Sequence, residues 1–512
     1  MADQHQDGIA SVRDTSLDTD TGSNGEIAPD LKAAEDRVEA HSAALEKQLG
    51  LTDLALTQVL FVVGLTWVGT AGKLGPSHAV FWMLAIVLFY IPSAIVVIYL
   101  NRLMPLEGGL YQWARLGFND FVGFMVAWNL WLYVIVLTSD IGLLVATNLA
   151  YAFGPEASWM AGSKWFITLL SMVITGMLVT LAILGLGVSK WVHNAGGVLI
   201  ILVFLILVLL PLVSGPGARV AEYRPFPIVM PAISLLSLNI LGKMGFGALG
   251  GFEYVAILAG ECHSPAKTIG RSVIVSAPII ALMFILGTSA VLAFVRPEDI
   301  DLIGPIPQVL SIGFGRLGLA GRLAPVVILA LMGLRLAQCS VNFTANTRLP
   351  MVAGWDRLLP DWFTRLHKTH KTPINSTLFV GVMTLATGLA GIATAGHQEA
   401  YQMLQSGSVI FYALTYLVMF AVPIVGLRGF HSRAALWIRI AAASGFMMTL
   451  LNVVLSVFPI IEVQSRLSFA IKISGVIVCA NIIGGALFVV AEKKRRRSRR
   501  SGSYCIEVAS SE

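Results

Sequence analysis

The stretch from residue 242 to residue 253 reads GKMGFGALGGFE and lies inside a long apolar segment. It places five glycines within ten residues, Gly242 to Gly251. Each glycine costs about 1 kcal/mol relative to alanine in a helix. Small residues also let membrane helices pack closely, but the irregular spacing and the charges of Lys243 and Glu253 are poorly explained by packing alone. The stretch therefore predicts a membrane helix that is interrupted.

A second interrupted segment is predicted at residues 63–72, which read VGLTWVGTAG. The two stretches lie in the first and the sixth apolar segments of the chain, so they are five segments apart. Five is an odd number, and the second copy of a five-segment unit is therefore inverted in the membrane. Paired interrupted helices in two inverted halves indicate the binding site of a secondary transporter, where freed backbone groups hold charged parts of the solute.

The rest of the sequence is that of a membrane protein. Of the 512 residues, 56% are hydrophobic and 12% are charged, and the charged share is about half that of a soluble domain. This composition excludes a soluble enzyme, a nucleic-acid-binding protein and a disordered chain. Segments long enough to cross about 30 Å of hydrocarbon as helices fall at about 53–74, 79–100, 119–149, 164–188, 191–213, 232–258, 269–295, 322–346, 374–396, 404–427, 436–459 and 469–491.

Lysine and arginine residues predict the orientation of these twelve segments. If both termini lie on one side, the loops on that side and the C-terminal tail together carry twenty Lys and Arg residues, whereas the loops on the other side carry seven. The positive-inside rule then predicts a multi-pass protein of the cell membrane with both termini in the cytoplasm. Residues 1–50 are an acidic polar tail that we expect to be disordered. Residues 492–512 are a basic tail that we expect to touch anionic lipid rather than nucleic acid.

The sequence shows no motif of an enzyme active site or a metal centre. Its four cysteines have no CxxC spacing, and the motifs HExxH and GxSxG do not occur. We therefore expect no catalytic residue, no metal and no cofactor. The expected partners are a small-molecule substrate and the lipid bilayer.

Three motifs resemble those of the amino acid–polyamine–organocation (APC) superfamily of permeases. Residues 105–113, PLEGGLYQW, are similar to the P-x-x-G-G-x-Y-x-W loop that follows the second helix. Residues 250–269, GGFEYVAILAGECHSPAKTI, resemble the family's sixth-helix G-F-E motif, its later glutamate and the N-P-x-x-x-I-P motif. Residues 347–360, with Pro373, resemble the loop after the eighth helix. The resemblance covers roughly residues 50–490.

This resemblance implies an all-α, LeuT-like membrane fold with twelve transmembrane helices. Helices 1–5 and 6–10 would form a five-plus-five inverted repeat over residues 51–213 and 232–427, with helices 1 and 6 broken. Two extra helices would follow over residues 436–491. The implied activity is secondary active transport of an amino acid or related amine by alternating access.

The implied substrate site lies between the unwound parts of helices 1 and 6. The matching residues of this sequence are Gly64, Leu65, Thr66, Trp67, Gly69, Phe246, Gly247, Ala248, Leu249 and Gly250. Many relatives have an aromatic residue at the position of Gly247, where it packs over the substrate. Its absence here predicts that Phe246 or Trp67 closes the pocket instead.

Four charged residues inside apolar segments are expected to act in gating or coupling: Asp140, Lys243, Glu253 and Arg335. A charge at a helix centre costs about 2.5–3.5 kcal/mol on insertion scales, so each should be paired or face water. We expect Asp140 and Arg335 to form a pair, with Lys243 within reach, and this pair is either structural or part of a gate. Glu253 matches the family glutamate and is expected to take part in gating or proton handling.

Several alternatives stay open from the sequence alone. The chain could be a substrate sensor on a transporter fold, with the acidic tail as its signalling arm. It could also exchange a polyamine or another organic cation that is not an amino acid. A channel is disfavoured, because the internal doubling indicates alternating access. The coupling mode is open between uniport, exchange, and symport with a proton or sodium.

Overall fold

The computed structural model describes residues 40, 45, 47–153, 155–214, 220, 222–300, 302, 304–316, 320–355, 358–394, 397–425, 434–458 and 465–509. In these residues the regular structure is helical, and extended segments meet only at two isolated bridges, Leu49 with Cys262 and Leu366 with Pro373. Most of the predicted acidic tail lies outside the described residues. The predicted basic tail, in contrast, continues the last helix as far as Ala509.

Ten helices of the described residues are long and apolar enough to cross a membrane, and two further apolar helices are shorter. Each of the twelve overlaps one apolar segment of the sequence. In chain order they are α1 Leu51–Val62, α2 Gly75–Leu103, α3 Asp120–Ala150, α4 Lys164–Leu184, α5 Ser189–Val213, α6 Leu235–Glu261, α7 Pro265–Phe294, α8 Pro325–Gly354, α9 Ile374–Ala390, α10 Met403–Val425, α11 Leu436–Ser456 and α12 Arg466–Arg495. The two shorter helices are α1 and α9.

Local sequence signals explain where several of these helices begin. The first turn of a helix leaves backbone N–H groups without an intrahelical acceptor, and a preceding polar side chain can accept one of them. The side chain of Asn119 accepts the N–H of Val122 at 2.9 Å before α3. The hydroxyl of Ser234 likewise accepts the N–H of Ser237 at 3.1 Å before α6. α7 begins at a proline, Pro265, whose missing N–H is no loss at that position.

Helices α1 and α6 are both interrupted next to their glycine clusters. After α1 ends at Val62, helical structure resumes in a short segment, Trp67–Gly72. α6 begins with a regular α-helical part, Leu235–Gly242, which is followed by a π-helical turn and then by a break at Gly250 and Gly251. It continues as a narrower helix to Glu261. The φ angle of Gly251 is 135°, a conformation that residues with a side chain rarely adopt.

Neighbouring helices bind the carbonyl groups that these breaks leave without helical partners. The amide of Gln338, on α8, donates to the carbonyl oxygens of Val63 at 2.7 Å and of Leu60 at 3.1 Å. The amide of Gln58, on α1, donates to the carbonyl of Phe252 at 3.4 Å. Hydrocarbon offers no water to these groups, so they must be bound within the protein. The breaks are thus built into the packing of the bundle.

We call the end of the bundle at which α1 begins the inner end, and the opposite end the outer end. At the inner end, the loop after α2 lies directly against the inner half of α6. The N–H of Gly108 donates to the carbonyl of Ile257 at 3.1 Å. A Cβ atom on Gly109, whose φ is 41°, would lie 2.7 Å from the carbonyl carbon of Ala256. Only glycine allows the two backbones to approach this closely.

Candidate functional site

A cavity of about 130 Å³ lies where the breaks of α1 and α6 face each other. A single water molecule needs only roughly 10–15 Å³ by this kind of measure, so a small organic molecule fits. The wall is completed by α3, α8, α10 and the short helix Pro305–Arg316.

Seven of the ten residues that the sequence predicts for the site line this cavity: Gly64, Leu65, Thr66, Trp67, Phe246, Gly247 and Gly250. Gly69, Ala248 and Leu249 are not among the lining residues. A Cβ atom on Gly69 would lie 2.7 Å from the Cβ of Pro305, so this glycine serves close packing. Ala248 and Leu249 are fully buried against protein.

The indole ring of Trp67 lies across two glycines, one on each side of the cavity. A Cβ atom on Gly64 would come within 2.5 Å of Trp67 Cδ1, and one on Gly247 would come within 2.5 Å of Trp67 Cη2. The ring therefore fills the space that a side chain at position 247 would need. The sequence predicts that Phe246 or Trp67 closes the pocket in place of an aromatic residue at position 247. Of these two, Trp67 occupies the space beside Gly247.

A buried carboxyl group lies on the inner side of the α6 break. Glu253 is 0% exposed, and the phenol groups of Tyr412 and Tyr416 both donate to it. Tyr416 Oη also accepts the N–H of Gly251 at 2.6 Å, which ties the carboxyl to the break itself. Tyr412 lines the cavity and stacks on Tyr133 with ring centroids 4.3 Å apart. One tyrosine side chain therefore separates Glu253 from the cavity.

Arg335 and Asp140 lie on the side of the site formed by α8 and α3. Arg335 lines the cavity and donates through Nη1 to Gln338 Oε1 at 3.4 Å. The Asp140 carboxylate accepts from the amide of Gln405, another lining residue, at 3.1 Å. Arg335 therefore borders the cavity directly, whereas Asp140 is joined to it through Gln405. The pairing of Asp140 with Arg335 stays a prediction.

Lys243 takes a different direction. Its ammonium group hydrogen-bonds to Ser456 Oγ on α11 at 3.4 Å, and the side chain is buried. It is not among the residues that line the cavity. The expectation that Lys243 reaches the group around Asp140 and Arg335 is therefore not met, because α11 provides its hydrogen-bond partner.

Seven polar residues on three other helices line the cavity and were not singled out from the sequence: Tyr133, Asn148, Gln338, Asn342, Gln405, Ser408 and Tyr412. Each lies inside an apolar segment. Polar side chains in such segments face the protein interior or water rather than lipid, and this signal was available in the sequence. What it could not supply was which helices bring these side chains together.

The cavity offers groups suited to a zwitterionic solute. Among the described residues, none accepts a hydrogen bond from the backbone N–H of Leu65 or Thr66 at the α1 break. Both residues line the cavity together with the cation Arg335. On the opposite wall the regular part of α6 ends, and the C-terminal end of a helix carries partial negative charge. One wall therefore suits an anionic group, and the other suits a cationic group.

Comparison with known proteins identifies the family. The family model described as amino acid permease matches residues 48–487. An uncharacterized transporter of Legionella pneumophila is 24% identical over 385 residues, which are 74% of this chain and 81% of that protein. The branched-chain amino acid permease BcaP of Bacillus subtilis is 24% identical over 408 residues, which are 74% of this chain and 84% of that permease. The methylthioribose transporter of the same organism is 24% identical over 402 residues, with shares of 74% and 83%.

Proposed function

We propose that this protein moves an amino acid across the cell membrane by secondary active transport. The chain belongs to the amino acid permease family and is therefore a transporter rather than an enzyme. The observation that carries this proposal is the cavity at the facing breaks of α1 and α6. The proposal includes a LeuT-like arrangement, in which α1–α5 and α6–α10 are inverted repeats and α11 and α12 are additional. It also includes the orientation that places both termini in the cytoplasm.

The substrate carboxylate would bind at the α1 break. The backbone N–H groups of Leu65 and Thr66 are available there, and Arg335 adds positive charge on the same cavity. The substrate ammonium group would bind at the carbonyl groups where α6 stops, next to Gly250. Hydrogen bonds to charged groups are roughly twice as strong as neutral ones. This division of the two charges favours an α-amino acid over solutes that carry only one kind of charge.

Charge also separates the leading substrate class from the runner-up. A polyamine carries two or more positive charges, and the charged side chain that lines the cavity in the described residues is the cation Arg335. The carboxylates of Asp140 and Glu253 are not in the lining. An amino acid is therefore favoured over a polyamine or another organic cation.

Alternating access would use the asymmetry of the present structure. The cavity is lined towards the outer end by Asn148, Pro305 and Pro307, while Glu253 and the inner half of α6 close its inner side. We interpret this as an outward-facing conformation. Transport would require α1 and the inner half of α6 to move away from the surrounding helices.

The test is a thermal-shift screen of the purified protein against amino acids and polyamines, followed by uptake into proteoliposomes. We expect stabilisation by one class of amino acid and saturable uptake of the same compound. Binding without uptake would favour the sensor, and stabilisation by polyamines alone would favour the cation exchanger. The matched control is the Gly250→Leu variant, which should insert into the membrane but lack uptake.

A further inference from the structure

A groove of about 310 Å³ lies near the inner end of the bundle, outside the cavity between the two breaks. Its walls include Phe124 and Trp128 on α3, Phe379 and Met383 on α9, and Leu487 on α12, and the last turns of α8 with the loop that follows complete it. None of its lining residues lines the cavity between the breaks. The volume of the groove falls in the range of pockets that hold ligands, roughly 300–1,000 Å³.

The groove faces the membrane between α9 and α12. Leu487, in its lining, is 47% exposed. Beside it, Val382 on α9 and Ile483 on the same face of α12 are exposed as well. Both helices belong to the membrane-spanning bundle, so their exposed apolar side chains face lipid. A ligand can therefore enter the groove sideways from the bilayer.

The lining suits hydrocarbon and not water. The lining residues carry no charged, hydroxyl or amide side chain, and their polar side-chain atoms are the indole N–H groups of Trp128 and Trp131. The N–H of Trp128 donates to the carbonyl of Ala480 at 3.0 Å, and that of Trp131 is buried. An ordered water needs about two to four polar partners, which this surface does not offer. The occupant is therefore apolar.

A cluster of charges marks the inner end of the groove, between α3 and α12. Arg495 donates to Asp120 Oδ2 at 2.7 Å, and Arg115 donates to Asp120 Oδ1 at 3.0 Å. Arg495 also pairs with Glu492 at 2.8 Å. Asp120 lies about one helical turn before Phe124, a lining residue. Within this cluster two cations balance two anions, so it adds no net charge.

The lysines next to this cluster make the same end positive. Lys494 follows Leu487 by seven residues, so the two lie on the same face of α12 about 10 Å apart. Lys493 and Lys494 are exposed, and neither forms an ion pair with another described residue. The headgroup region is about 5–8 Å thick on each side of the hydrocarbon, and lysine side chains extend into it. Lys494 is thus at headgroup level when Leu487 lies in hydrocarbon.

We propose that the groove binds an acyl chain of an anionic phospholipid whose phosphate lies against Lys494. The loop after α8 does not cancel the positive charge, because the exposed residues Asp361 and Arg365 are opposite in sign. A zwitterionic phospholipid would bring its own cationic group towards the lysines and is therefore disfavoured. A second copy of the chain in the same membrane orientation would bring a second basic end close to the first, which also disfavours it as the occupant.

The experiment uses the purified full-length protein in a neutral detergent, with dioctanoyl phosphatidylglycerol as the probe. We expect saturable thermal stabilisation and, by native mass spectrometry, one tightly retained copy of the probe. Dioctanoyl phosphatidylcholine has the same chains and should bind at least about fivefold more weakly, the contribution of one lysine near an anionic group. Glycerol phosphate has the anionic group without the chains and should not stabilise the protein.

Two matched pairs of variants separate the groove from general contact with lipid. Leu487→Trp places a larger ring in the groove and should weaken probe binding about tenfold, as displacing about two methylene groups would. Its control, Ile482→Trp, changes an exposed residue of α12 outside the lining. Lys494→Gln should weaken binding about fivefold. Its control, Lys493→Gln, makes the same charge change on a different face of α12 and should have a smaller effect.

The four variants change exposed positions, so we expect them to fold, and their melting temperatures without lipid verify this. If each variant affects binding no more than its control does, the lipid binds only by general contact and the proposal is wrong. Equal stabilisation by the two dioctanoyl lipids would also overturn it, because the anionic headgroup would not be recognised. A lipid-free dimer that Leu487→Trp dissociates would overturn it as well, by showing that a second copy of the chain occupies the groove.

Discussion

The indole of Trp67 occupies the space above Gly247, so that a Cβ atom at position 247 would lie only 2.5 Å from Trp67 Cη2. The aromatic ring in this space therefore comes from the segment after α1 and not from position 247 of α6. Because Trp67 sits at the start of the helical segment Trp67–Gly72, movement of this segment would carry the ring with it. The ring is placed to follow the opening and closing of the site.

The first prediction concerns the position of this aromatic ring, which belongs to Trp67 and fills the space beside Gly247. Gly247→Phe should abolish amino acid binding, because the new ring collides with Trp67, and overpacking of this kind costs about 1–3 kcal/mol. The double variant Gly247→Phe with Trp67→Gly should recover part of the binding. Both can be measured as the thermal shift produced by the best ligand of the screen. If the ligand produces no larger thermal shift in the double variant than in the single variant, Trp67 is not the residue that excludes a side chain at position 247.

A second prediction concerns the break in α6. Gly250→Leu should abolish transport while leaving membrane insertion intact, because a Cβ atom there would lie 2.6 Å from the carbonyl oxygen of Phe246. The matched control is Gly176→Leu on α4, where a Cβ atom would meet nothing within 4 Å. Uptake assays on equal amounts of folded protein compare the two. Normal uptake by the Gly250 variant would refute a role of the break.

Glu253 provides a third prediction. Glu253→Gln replaces an acceptor of two phenol hydrogen bonds by an amide, which should weaken the closure below the cavity. We expect net uptake to fall more than exchange of bound substrate does. The comparison is between zero-trans uptake and counterflow over a range of pH. If the pH profile of uptake in this variant is the same as that of the parent protein, Glu253 has no part in proton-linked gating.

The fourth prediction concerns Asp140 and Arg335. Asp140 is buried, and removing a nearby cation leaves a buried carboxylate less well compensated. Asp140→Asn and Arg335→Gln should each lower thermal stability or uptake, and the double variant should recover part of the loss.

A control variant isolates the contribution of charge in that cycle. Gln405→Leu removes the direct hydrogen bond to Asp140 without changing any charge, and its effect should be smaller than that of Arg335→Gln. Strictly additive losses in the double variant would show that the two charges act independently.

The apolar segments and the glycine clusters were sufficient to predict the helices and both interruptions. Helix positions depend on the length of apolar runs, and a cluster of glycines lowers helix stability wherever it stands. The exact lining was harder to predict. Gly69 was assigned to the site because it ends the stretch that matches the unwound part of helix 1 in the family, but it serves close packing against Pro305.

The missed site residues have a common physical cause. Gln338 and Tyr412 are more than 250 residues from the α1 break in sequence and reach it only through helix packing. Lys243 shows the same limit for a residue that was assigned to the site but lies elsewhere. Its charge required a polar partner, but only the packed structure shows that Ser456 on α11 supplies one.

The close approach of Gly109 to Ala256 has a practical consequence. A single methyl group at position 109 has no room while the inner half of α6 rests on the loop after α2. An alanine there would act as a wedge, and it would shift the conformational population towards the state in which the two segments have separated. Gly109→Ala is therefore a means of enriching the form in which the inner half of α6 has left the loop after α2, for structure determination without an added ligand or antibody.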